Sequence, residues 1–98
     1  MQVRHRNARL QRLETDAAFD GGFGRPVARG YRKVMAWIRS ADDERDFYNL
    51  KSLHYENLKG ARSHQRSMRL NDQFRLILEL EEVGPDIRVV VVAIEDYH

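Results

Sequence analysis

Cysteine is absent from this 98-residue chain, which excludes disulfides and thiolate metal sites and fits a cytoplasmic protein. No stretch approaches the ~20 consecutive apolar residues that a bilayer span requires, so no membrane segment is expected. The opening Met1-Gln2-Val3-Arg4-His5-Arg6 is basic but no apolar block follows it, so it does not read as a signal peptide. Internal repeats, low-complexity runs and linker-like shifts in composition are also missing. The four histidines are dispersed and give no zinc-like spacing, so neither a metal nor a cofactor is expected.

What is present suits one domain, residues 1–98, with a single modest core. Charged residues at 33% against 42% apolar residues describe a soluble globule rather than a disordered chain. The net charge of +2 conceals two opposed blocks. Between Lys51 and Arg75 the cations Lys51, Lys59, Arg62, Arg66, Arg69 and Arg75 face Glu56 and Asp72, a net +4. Between Leu76 and His98, Arg88 faces Glu79, Glu81, Glu82, Asp86, Glu95 and Asp96, a net −5. Such a pair of blocks either presents a surface to a polyanion or pairs with itself across a sheet.

Residues 1–50 read as mainly helical. Asn7 can cap a short helix to Thr15, with Leu10 and Leu13 on one face. The glycines of Asp20-Gly21-Gly22-Phe23-Gly24-Arg25-Pro26 break the chain. Pro26 then opens a second helix to about Arg39, with Val27, Tyr31, Val34, Met35 and Ile38 as its apolar stripe. Ser40, followed by Asp42, Asp43 and Glu44, reads as the capped start of a third helical segment burying Phe47 and Leu50. Trp37 and Tyr48 are expected in or near the core rather than as base-stacking platforms. The opening residues lack a strand-like start, so the first element reads as irregular.

From about His64 the period changes to two. Met68, Leu70, Phe74, Leu76, Leu78 and Leu80 form one set; Arg69, Arg75, Ile77, Glu79 and Glu81 form the other. A two-residue loop, Asn71-Asp72, would set Met68 opposite Arg75 and mix the faces. A three-residue loop, Asn71 to Gln73, pairs Leu70 with Phe74, Met68 with Leu76 and Arg69 with Arg75. That register alone keeps one face apolar, and Asn and Asp tolerate the left-handed backbone expected in such a loop. Two arginines directly opposite repel. They either form a fork for a phosphate or are each neutralised by a carboxylate such as Glu79 or Asp96. After the Gly84-Pro85-Asp86 turn, Ile87 to Ile94 is apolar on both faces and reads as an interior strand. If the strand continued, Asp96 and His98 would share one face, and Glu95 and Tyr97 the other.

Three stretches together resemble the HigB branch of the RelE/ParE toxin superfamily: Leu58-Lys59-Gly60-Ala61-Arg62, Ser67-Met68-Arg69-Leu70-Asn71-Asp72-Gln73-Phe74-Arg75, and Glu95-Asp96-Tyr97-His98. The resemblance runs from Leu58 to the end; the helical first half agrees only in layout. It implies an α+β fold, RelE-like, with two or three N-terminal helices packed on one face of a small antiparallel sheet spanning 64–98. It also implies a toxin that cleaves mRNA on the translating ribosome and is neutralised by a HigA-like helix-turn-helix antitoxin. On that resemblance Lys59 and Arg75 would hold RNA phosphates or transition-state charge, with Arg69 beside them and Arg62 also on RNA. Asp96 and His98 would move protons, and Tyr97 would stack on or orient a base. Some members carry a histidine nearer the lysine than His54, which here stands five residues before Lys59.

The chemistry suits these residue types without the family. RNA carries its own nucleophile, the 2′-hydroxyl, so cleavage needs only positioning, proton transfer and charge stabilisation. His98 ranks above His54 as the acid–base group, while His5 and His64 read as surface or structural groups. Two alternatives remain. One is a ParE-like gyrase poison, which needs no acid–base set; the other is a non-catalytic partner of an antitoxin.

Overall fold

The structure, a computed structural model, describes residues 1–96. Its organising element is a hairpin of β3 (Arg66–Arg69) and β4 (Phe74–Val83). Met68 pairs with Leu76 and Arg69 with Arg75, the register expected for a three-residue loop. The loop itself is held differently from expectation. Among the described non-glycine residues only His54 has a positive φ, so neither Asn71 nor Asp72 is left-handed. Instead the Asn71 Oδ1 accepts hydrogen bonds from the Gln73 and Phe74 backbone N–H groups at 2.9 and 2.7 Å. A side-chain acceptor does the work that backbone conformation would otherwise do.

Gly84 (φ +61) and Pro85 turn the chain into β5 (Asp86–Asp96), antiparallel to β4. Val83 pairs with Asp86, and the ladder continues to Leu78 opposite Val91; then Ile77 pairs with Ala93, skipping Val92. This bulge exchanges the faces of everything beyond it. β2 (Glu56–Asn57) adds one edge beside β3.

The opening residues are not irregular: β1 (Gln2–His5) lies parallel to β5 and forms the other edge, giving the order β1-β5-β4-β3-β2. The sheet is therefore mixed rather than wholly antiparallel. β1 escapes a hydrophobic pattern because its core-facing positions hold one aliphatic residue, Val3, and His5. The His5 side chain is only 6% exposed, with Nε2 3.1 Å from Glu14 Oε1. Burial pushes its pKa down, so His5 is a structural histidine.

Three helices cover one face of the sheet. Asn7 caps α1 (Ala8–Thr15) by accepting from the Arg9 and Leu10 N–H groups, and Leu10 and Leu13 are buried. α2 (Arg25–Ser40) starts with Pro26 in its first turn and buries Val27, Ala28, Tyr31, Val34, Met35 and Ile38. Tyr31 Oη donates to the Leu10 carbonyl at 3.0 Å. The Arg32 guanidinium donates to the carbonyls of Leu13, Asp16 and Phe19, completing the end of α1. Gly30 lies where α2 crosses the hairpin: a Cβ there would stand 3.0 Å from the Leu70 carbonyl oxygen. These helices close over Met68, Leu76, Leu78, Val89 and Val91 to form the core.

Two helical expectations need correction. α2 runs through Ser40, whose hydroxyl bonds the Trp37 carbonyl, so Ser40 does not cap α3 (Arg45–Asn49). Asp43 supplies the acceptor there, taking the Arg45 N–H at 2.8 Å. Trp37 and Tyr48 are not core residues, being 37% and 55% exposed. Phe47 and Tyr55 fill the space beside Tyr48 instead, with Tyr55 edge-on to both.

Asn71→Ala removes two backbone-directed acceptor bonds and should cost about 1–2 kcal/mol in urea unfolding. Asn71→Asp, which keeps an acceptor, should cost less; equal losses would mean that the side chain does not hold the loop.

Candidate functional site

Opposite the helices, the sheet's other face carries the arginine pair. There a depression of about 340 Å³ is lined by Leu58, Arg62, Arg75, Ile77, Glu95 and Asp96. Its floor is Ile77, buried on β4 beside Ala93. Arg75 approaches from β4, and its Nη1 donates to Glu56 Oε1 at 2.5 Å and to Ser67 Oγ at 3.0 Å. Arg62 comes from the 3-10 turn Gly60–Arg62, which follows β2. It makes two bonds to the Glu95 carboxylate at 3.0 and 2.8 Å, while its Nε donates to Gln65. The Glu95 carboxylate holds the Arg62 pKa above its ordinary value.

The bulge decides which acid stands here. Without it, Arg75 would lie opposite Ile94 and Glu95 would fall in the core-facing row of Phe74. With it, Glu95 pairs with Arg75 and Asp96 with Phe74. Asp96 borders the depression from its end, one step out of phase with Glu95, and accepts from Gln73 Nε2 at 3.0 Å. Tyr97 and His98 lie outside the described residues.

The other expected site residues are distributed around this depression. Lys59 is exposed just before the turn, and the positive φ of Gly60 (+66) lets the chain double back after it. Arg69 stands opposite Arg75 in the ladder, but its guanidinium bonds the Asn71 carbonyl and the Asp72 carboxylate. His54 borders a separate cleft, which Arg69, Leu70 and Asn71 also line. Its φ of 46° is left-handed, a conformation that costs a residue with a Cβ roughly 1 kcal/mol.

Glu56, Ser67 and Glu95, the partners that orient the two guanidiniums, were not anticipated. Glu56 acts through β2, a strand of two residues with no periodicity to read. Glu95 depends on a bulge that alternation cannot locate.

Across the rest of the face, the acids of the second block pair mainly with Arg88 and with arginines of the N-terminal strand region. Arg6 makes two bonds to Glu79, which also accepts from Gln65; Arg4 and Arg88 both meet Glu81. Arg66 reaches Glu44 at 3.5 Å. His64 is exposed, 3.7 Å from Glu79, as its surface assignment expects. The Arg6 and Gln65 hydrogen bonds hold the Glu79 carboxyl down to about 2. What the depression offers is thus specific: two anchored guanidiniums at its walls, the Glu95 carboxylate bonded to one of them, and Asp96 at its border. Such an arrangement suits a phosphodiester by geometry and hydrogen-bond capacity rather than by excess charge.

No family model and no curated protein sequence matches the chain. Solved structures do. A YoeB/ParE toxin from Agrobacterium tumefaciens aligns over 100% of both chains at 18% identity, with a TM-score of 0.62. YafQ from Escherichia coli strain BL21(DE3) aligns at 9% identity and a TM-score of 0.61, covering 98% of this chain and 92% of its own. The conserved hypothetical protein HP0894 from Helicobacter pylori aligns at 12% identity and 0.56, covering 99% and 94%. The fold is therefore RelE-like, a mixed five-stranded sheet under three helices, shared at identities too low to carry residue roles.

Because the Glu79 pKa is depressed in the folded state, the unfolded chain binds more protons, and this carboxylate stabilises the fold above about pH 4.5. That contribution should be lost as the pH falls from about 4.5 to about 2. Urea midpoints across this window should fall less steeply for Glu79→Gln than for the parent chain; parallel curves would refute the pairing.

Proposed function

We propose that the protein is the toxin of a type II toxin–antitoxin pair and an endoribonuclease that cuts mRNA on the translating ribosome. The observation that carries this reading is that Arg62 and Arg75 wall one depression, each oriented by its own carboxylate. A scissile phosphate bridging them would receive N–H donors on its non-bridging oxygens, where charge accumulates as the reaction proceeds. The 2′-oxygen attacks the adjacent phosphorus and the bond from phosphorus to the 5′-oxygen breaks, leaving a 2′,3′-cyclic phosphate and a free 5′-hydroxyl. One group must take the 2′-hydroxyl proton and another must protonate the leaving 5′-oxygen.

Asp96 and His98 are assigned to those proton transfers and Tyr97 to stacking on or orienting a base. For Tyr97 and His98 the assignment rests on the resemblance of the terminal Glu95-Asp96-Tyr97-His98 alone. Lys59 extends the cationic rim, and Arg69 and His54 contact RNA beyond it. No metal is required, because the nucleophile belongs to the substrate. The proposed neutralising partner is a HigA-like helix-turn-helix antitoxin, and the proposed compartment is the cytoplasm.

Primer extension on an mRNA, with and without ribosomes, tests the activity. Cleavage should appear with ribosomes, and Arg75→Ala should lower its rate by about two orders of magnitude, the usual loss of one transition-state donor. Retained cleavage in that variant would remove Arg75 from the chemistry. Inhibition of gyrase supercoiling without any RNA cleavage would instead identify a ParE-like poison.

A further inference from the structure

Helix α2 carries five cations and no acid between Arg25 and Ser40. Arg25, Arg29 and Lys33 recur every fourth residue, so they line one face in steps of ~6 Å. All three are exposed, and none forms a hydrogen bond or ion pair among the described residues. Like charges at this spacing weaken a helix, so the stripe is a cost that the fold itself does not explain. They border a groove of about 790 Å³ between α2 and the loop that follows α1, floored by Ala28 and Ala36. One acid, Asp20, also borders it, but its carboxylate accepts the Gly22 N–H.

Lys33 also borders a second cleft, of about 610 Å³, with Trp37, Leu50, His54 and Arg69. Trp37 is the chain's single tryptophan, and its exposure of 37% in this cleft is unusual for so large an apolar group. His54 borders the same cleft, with no side-chain hydrogen bond among the described residues and the left-handed backbone noted above. A row of cations leading to an aromatic group in a cleft is the pairing that binds single-stranded nucleic acid: charge follows the backbone, and a ring receives an unstacked base. Arg69, which also borders the cleft, is the ladder partner of Arg75, a residue that lines the depression.

We infer that α2 holds a track for single-stranded RNA, with successive phosphates on Arg25, Arg29 and Lys33 and one base against Trp37 in the cleft bordered by His54 and Arg69. The track rests on the reading of the protein as one that acts on RNA, but it uses none of the groups assigned to proton transfer. An acidic segment of a partner protein is the competing occupant; the regular cation spacing followed by a ring favours RNA.

The test uses the full chain and a short 2′-O-methyl oligoribonucleotide, which cannot be cut. It should quench Trp37 fluorescence saturably. Arg25→Ala/Arg29→Ala should weaken binding about tenfold and reduce the slope of log affinity against log salt by about 1.4, since each phosphate contact on a single strand contributes about 0.7. Trp37→Ala, followed by anisotropy of labelled RNA, should weaken binding by about tenfold. These positions are exposed, and circular dichroism should confirm folding. Unchanged RNA affinity in both variants would overturn the track, even if ribosomal cleavage persisted and the nuclease reading survived. Quenching with the predicted losses would uphold the track, even in a protein that cut nothing. Quenching by a glutamate-rich peptide that RNA fails to displace would assign the cleft to a protein and overturn the inference.

Discussion

The structure depends on a hairpin that has only one acceptable register. Met68 opposite Leu76 gives the helices an apolar surface, and the same pairing forces Arg69 and Arg75 together on the other side. Because strand side chains alternate, a slip of one residue would bury guanidiniums and expose the core set. Large side chains such as Met68 and Leu76 each contribute about 1.5–3 kcal/mol by leaving water, so the core dictates where the arginines go. The site is a consequence of the core's register rather than an addition to it.

A single skipped residue then selects the site's chemistry. Val92 has no partner in the β4–β5 ladder, and this brings Glu95 beside Arg75 and within reach of Arg62. Exposed ion pairs of this kind contribute roughly 0–1 kcal/mol to stability. Their value lies in orientation: each carboxylate fixes the direction of its guanidinium at the wall of the depression. The two charge blocks meet directly at Arg62 and Glu95, beside the depression, while Arg69 and Arg75 pair with acids of their own block and Glu79 and Glu81 draw on Arg6 and Arg4.

Legibility in the sequence followed the strength of periodic signals. The hairpin register could be derived because one alternative mixed faces and the other did not. α1 and α2 were readable from Asn7, Pro26 and their apolar stripes. β1 was not, since a parallel edge strand with Val3 and a buried His5 carries almost no pattern. Ser40 looked like a cap, but α2 had core contacts enough to run through it. Trp37 was assigned inward on size alone, yet it lies just outside the stripe of Val34 and Ile38. Within the candidate site, Arg62 and Arg75 could be named, whereas their partners Glu56 and Glu95 hang on a two-residue strand and a bulge. Both features are set by tertiary geometry and leave no local mark.

The central claim is that Arg62 and Arg75 together receive an RNA phosphate. Side-chain Nε–H resonances of these two arginines, followed by NMR while a 2′-O-methyl oligoribonucleotide is added, test it most directly. The account predicts that both resonances shift together and saturate at one RNA concentration. RNA that binds the protein while both resonances stay still would contradict it.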